Sequence, residues 1–117
     1  MLRKLLLLSP LMSLLLFSGC GPTPEEKKRA EAVELTSQAQ QLIREAKFRE
    51  ALPLIDKAIA LEPTANRYWL RAESHLDDLP AALADVNKGL EMEPDNKRLL
   101  NWKASIENAM GKKPAKK

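Results

Sequence analysis

The residues best suited to chemistry lie together at Ser74-His75-Leu76-Asp77-Asp78, which holds the one histidine of the chain. A hydroxyl, an imidazole and carboxylates are the parts of a nucleophile, a general base and its orienter, or of a metal site. Their spacing argues against both. The segment closes a predicted helix, where neighbours one and two positions apart point away from each other, so the three groups do not converge. A metal site would also lack a second histidine, a second thiol and a calcium-loop pattern of carboxylates. His75 reads more simply as a favourable charge at the negative end of a helix dipole. Gly19, Gly21, Gly89 and Gly111 are too scattered to form a phosphate loop. The sequence therefore predicts a non-enzyme with no catalytic residue, no metal and no cofactor.

The other reactive side chain is Cys20, the single cysteine. Residues 1–19 begin with Arg3 and Lys4, continue with an apolar run from Leu5 to Phe17 and end on Ser18-Gly19, the layout of an export signal. The run of 13 residues reaches roughly 20 Å as a helix, against a hydrocarbon core of about 30 Å, and Pro10 interrupts it. Removal of 19 residues leaves 98, enough for one small domain, which excludes a large enzyme with a deep cleft. The net charge of +3 is misleading, because from Cys20 to Met110 the chain has 13 basic and 16 acidic residues. The excess belongs to Arg3, Lys4 and a terminal Lys tail, so the balance does not predict a nucleic-acid surface.

One cysteine in an exported chain makes no internal disulfide. Leu16-Phe17-Ser18-Gly19-Cys20 resembles the lipobox of bacterial lipoproteins, with Phe17 standing where that family prefers Leu. The resemblance implies that Cys20 is the lipidated, acylated mature N-terminus and that residues 1–19 are a lipoprotein signal peptide. Gly21, where an Asp would favour inner-membrane retention, implies an outer-membrane anchor facing the periplasm. Several acyl chains hold a small domain stably, where one would be marginal. The alternative is a secreted protein with an ordinary signal in which Cys20 is incidental.

The elements that follow read as helices, with no alternating run long enough for a strand. Thr23-Pro24-Glu25-Glu26 is a helix start, with a capping hydroxyl, a proline at the first position and a Glu three residues on. The first helix begins solvated, with Glu25/Arg29 and Lys27/Glu31 pairs, and ends on an apolar stripe of Leu35, Ala39, Leu42 and Ala46. Further helices are predicted over about Phe48–Leu61, Ala65–Leu76, Ala81–Met92 and Lys97–Met110. Pro53 predicts a bend or a late start in the second.

Two of these segments repeat each other 31 residues apart: Ala51-Leu52 to Glu62-Pro63, and Ala82-Leu83 to Glu93-Pro94. Such a period means stacked helical pairs. The pattern resembles the tetratricopeptide repeat: Ala51 and Ala82, then Ala58 and Gly89, match its small residues. Phe48, Tyr68 and Trp69 match its aromatics, and Pro63 and Pro94 its terminator. The second unit is three residues short of the family period between Leu76 and Ala82, which predicts a tighter turn and a tilted pair. Gln38 stands where a large aliphatic is usual and predicts a poorly packed outer face. The resemblance implies an all-α, short helical-hairpin solenoid of about two repeats over residues 25–110, after a linker at 20–24. Leu99, Trp102, Ile106 and Met110 give the last helix one apolar face, as a cap requires. Trp69 and Trp102 read as core rather than as a base-stacking platform.

In the tetratricopeptide family the first helix of each pair lines a concave groove that receives a peptide or helix of a protein partner. By position, that groove would hold Val33, Thr36, Gln40 and Arg44, then Arg67, Leu70, Ser74 and Asp77, then Arg98, Asn101 and Ser105. Lys and Asn, which a carboxylate clamp needs, are absent at Thr36 and Gln40. The composition of Gly111 to Lys117 predicts a disordered Lys-rich tail, either solubilising or drawn to anionic lipid. The expectation is a lipid-anchored periplasmic interaction adaptor that localises or assembles a partner at the outer membrane, pilotin-like by analogy. The alternative is an envelope lipoprotein that self-associates through the incomplete ends of its solenoid.

Overall fold

The computed structural model describes residues 21–111; the expected signal segment, the expected lipidation site Cys20 and the residues after Gly111 lie outside them. The protein is all-α, with five helices among the described residues: α1 Pro24–Arg44, α2 Phe48–Leu61, α3 Ala65–Ser74, α4 Leu79–Met92 and α5 Lys97–Ala109. Each packs against the next, and α1 also touches α3. Connections of three or four residues make successive helices antiparallel, giving an array of helical hairpins, α1/α2 and α3/α4, closed by α5.

Local chemistry fixes most of the boundaries. Thr23 caps α1 as its sequence predicts: its Oγ1 accepts from the Glu26 amide at 3.1 Å, and the Glu26 carboxylate accepts from the Thr23 amide at 2.9 Å. Thr64, Asp78 and Asn96 cap α3, α4 and α5 more simply, each side chain accepting from the amide three residues on. The α1–α2 reversal is made by Ala46 at φ +61, with Ala46 N–H donating to Ile43 O and Lys47 N–H to Leu42 O at 2.8 Å. That is a Schellman turn with alanine where glycine is usual.

Two expectations need correction, and at Pro53 one of two alternatives is excluded. Helix α2 begins at Phe48 and passes through Pro53, with no late start. Pro53 and Arg49, whose carbonyl loses its partner, are both exposed, so water can satisfy that carbonyl. The shorter second unit comes from α3, which ends at Ser74 rather than Leu76, and not from a tighter turn: residues 75–78 form a longer turn than 45–47. Helix α4 starts at Leu79, two residues earlier than expected, because Asp78 caps it and Pro80 is tolerated in a first turn. Gln38 points outward and donates to Glu34 at 2.9 Å.

The core is two clusters. The first joins Ala39 and Ile43 of α1, Ala51, Ile55 and Ile59 of α2, and Leu70 of α3. The second joins Ala65 and Ala72 of α3, Ala82 and Val86 of α4, and Leu99 and Ile106 of α5. Trp69 packs against both. Ile55, Val86 and Leu99 are the largest fully buried side chains, each worth about 1.5–3 kcal/mol of burial. Gly89 lets α5 come close, since a Cβ there would stand 2.8 Å from the Leu99 Cδ1.

Candidate functional site

The first helices of the hairpins, α1 and α3, and the closing helix α5 carry every residue predicted to line a concave groove except Asp77, which lies in the α3–α4 turn. Three of these residues are buried and do not line an open groove: Arg67 is 6% exposed, Leu70 2% and Ser74 5%. Arg67 is covered by α1 and by the α2–α3 turn, and Leu70 by α1 and α2 together. Thr36 Oγ1 donates to Ala32 O at 2.7 Å and accepts from Arg67 Nε at 2.7 Å. Arg67 Nη1 also donates to the Glu62 carbonyl at 2.6 Å and to its carboxylate at 3.0 Å. Leu70 joins the first core cluster, and the Ser74 hydroxyl donates to Leu70 O at 3.0 Å.

What stays accessible is split. Val33 and Arg44 are exposed and Gln40 half-buried on α1, whereas Asp77, Arg98, Asn101 and Ser105 are exposed at the far end of the array. Arg98, 31 residues after Arg67, lays its guanidinium over the Trp69 ring, 4.6 Å from the centroid. Trp69 and Trp102 meet edge to face at 6.3 Å. The Trp69 Nε1 is buried without a hydrogen-bond partner among the described residues.

Charge inside the array centres on Arg71, which the sequence reading did not single out. It donates through Nε and Nη2 to the buried Asp85 carboxylate at 3.0 and 2.8 Å, and through Nη1 to Asp56 at 2.9 Å. Its guanidinium also lies 5.5 Å from the Tyr68 centroid. The hydrogen bond to Asp85 above all raises the Arg71 pKa, and burial only partly opposes it. The three charges satisfy one another across α2, α3 and α4, which is the arrangement of a strut. Spacings of 14 and 15 residues give no local signal for it.

Two clefts lie along one edge of the array. The larger, of about 1030 Å³, sits between the α1–α2 turn and the α3–α4 turn, and His75, Glu73, Asp77 and Lys47 are among its lining residues. Burial pushes the Glu73 carboxyl up, and Arg98 draws it back in part. Ser74 does not face His75 as a nucleophile, because its hydroxyl is bonded to Leu70 O. The smaller cleft, of about 410 Å³, lies between the α3–α4 turn and α5, and is lined by Leu76, Leu79, Trp102, Ile106 and Ala109 with Asn101 and Ser105. Among the described residues no three His, Cys, Asp or Glu side chains come together as metal ligands, and no helix is long and apolar enough to cross a membrane. Comparison with protein-family models, with curated proteins and with solved structures returns no match for this chain.

Proposed function

We propose that this protein is a lipid-anchored periplasmic adaptor of tetratricopeptide type, which localises or assembles a protein partner at the outer membrane. The observation that carries the reading is the sole cysteine at the end of an export-like apolar run, immediately ahead of a helical-hairpin array. A signal of this kind delivers the domain to a surface, and stacked hairpins offer an extended side for a partner. The pilotin-like comparison rests on anchor and architecture alone.

The anchor is tested by Cys20→Ser and by inhibiting lipoprotein signal peptidase, following acyl labelling, chain size and membrane retention. The expected result is an unprocessed chain that leaves the outer-membrane fraction in both cases, without acyl label for Cys20→Ser and with it under inhibition. Unchanged size and membrane association would overturn the anchor. The adaptor half is tested by envelope crosslinking with mass spectrometry, which is expected to recover one discrete partner.

Self-association is the second reading, and α5 favours it, because no sixth helix covers it among the described residues. Its outward side carries one large exposed apolar residue, Leu100, and an isolated exposed leucine is ordinary for a monomer. Sedimentation separates the two: the adaptor reading expects a mass and a melting point independent of concentration.

A further inference from the structure

The alternation of antiparallel helices divides the array into two edges. The N-terminus of α1, the α2–α3 turn and the α4–α5 turn lie on one; the α1–α2 turn, the α3–α4 turn and the C-terminal end of α5 lie on the other. Both clefts are on the second edge, and Leu76 lines both. The chain leaves toward Cys20 from the first edge. On the adaptor reading, the clefts therefore face away from the membrane.

The smaller cleft is not a by-product of the repeat. Shifted back 31 residues, Leu79, Ile106 and Ala109 become Phe48, His75 and Asp78, and these line the larger cleft together with Lys47, Arg49 and Glu50. At these places His75 and Asp78 of the larger cleft give way to Ile106 and Ala109 in the smaller, while Phe48 and Leu79 are both apolar. Leu76 is 48% exposed, one of few large apolar side chains so open to water. Next to it stand Asp77 and Asp78, both exposed, and Asp77 forms no ion pair with any described residue. Asp78 is engaged as the cap of α4, so the free carboxylate beside the apolar cleft is that of Asp77, and the pair is complementary to an apolar side chain next to a cation.

We infer that the α3–α4 turn and α5 form the docking site for a partner segment that places a large apolar side chain between Leu76, Leu79, Trp102 and Ile106, with a Lys or Arg over Asp77. Asn101 and Ser105 at the rim serve its backbone. The inference rests on the adaptor reading and moves its binding surface from the concave face to this edge.

The test is a nuclear magnetic resonance titration of the full mature chain with a synthetic amphipathic Leu/Lys peptide, and with its Leu/Glu counterpart. Shifts are expected at Leu76–Leu79, Asn101, Ser105 and the Trp102 indole N–H with the Leu/Lys peptide only. Asp77→Lys and Leu76→Ala should each weaken binding about tenfold, while Val33→Ala on α1 leaves it unchanged; both edge positions are exposed, and circular dichroism confirms folding. Equal binding of the Leu/Glu peptide, or shifts confined to Val33, Gln40 and Arg44, would overturn the proposal. So would the same edge shifts on comparing the free chain with one ending at Gly111, which would make the protein's own tail the occupant, or on raising protein concentration alone, which would make it a second copy. Acyl labelling at Cys20 is read separately, so failure here leaves the anchor intact, and failure there leaves the titration interpretable.

Discussion

The face between α1 and α3 and the face between α3 and α5 solve one problem with different chemistry. At the first, Arg67 reaches back to Thr36 and to Glu62, and hydrogen bonds close the seam. At the second, Arg98 reaches back to the Trp69 ring and two indoles meet edge to face. The two arginines stand 31 residues apart. The first is buried and hydrogen-bonded through Nε and Nη1, the second exposed. A repeat thus supplies the position of a side chain, while the neighbour it meets decides whether it becomes structural or remains available. The same contrast appears along the edge, where His75 and Asp78 in one cleft correspond to Ile106 and Ala109 in the next.

The largest effect should come from the apolar content of the second seam. Leu99→Ala empties a site that is 1% exposed and faces Gly89, and should cost about 2–5 kcal/mol in chemical denaturation. A loss below about 1 kcal/mol would mean that α5 is not an integral part of the array.

The paired arginines give the direct comparison. Arg67→Ala removes charge-assisted hydrogen bonds from a buried position and should cost about 2 kcal/mol. Arg98→Ala removes an exposed cation from an indole face and should cost about 0.5–1 kcal/mol. Equal losses would erase the distinction between the seams.

The turns leading into these seams differ as well. Ala46 adopts a left-handed conformation, whereas the α3–α4 turn contains no residue of positive φ. Ala46→Gly should therefore stabilise the fold by about 1 kcal/mol, read as a raised melting temperature. No gain would show that the flexibility added to the unfolded chain cancels the relief.

The smallest effects are in pH dependence, and the two seams have opposite signs. The hydrogen bond from Arg67 holds the Glu62 carboxyl below its ordinary value, so its stabilisation is present at neutral pH and is lost as pH falls through the carboxylate range. Burial holds the Glu73 carboxyl above its ordinary value, so the folded state binds that proton more tightly and Glu73 opposes folding once ionised. Stability curves between pH 3 and pH 7 should flatten on the acid side with Glu62→Gln and rise at neutral pH with Glu73→Gln. Identical slopes in both variants would contradict the assignment.

Most helix starts and stops were legible because they depend on groups within four residues, as with Thr23 and Glu26 and with Pro63 and Pro94 after helix ends; the end of α3 and the start of α4 were not. At Pro53 the late start is the alternative that α2 does not take, for a physical reason. Proline's cost depends on whether the freed carbonyl reaches water, and that depends on which way the helix is turned. The predicted groove was misread at Arg67, Leu70 and Ser74 because repeat position gives the direction of a side chain on its own helix and says nothing of how far the neighbouring helix covers it. Arg71 had no local partner to announce it.

The sequence by itself determined the all-α class, the number and approximate bounds of the helices, the 31-residue repeat and the position of the one cysteine, because propensity, capping and periodicity act over a turn or two of chain. The tertiary structure alone decided which polar residues became buried links and which remained free. Burial is a property of two surfaces meeting, and no pattern within one helix states what the next will lay over it.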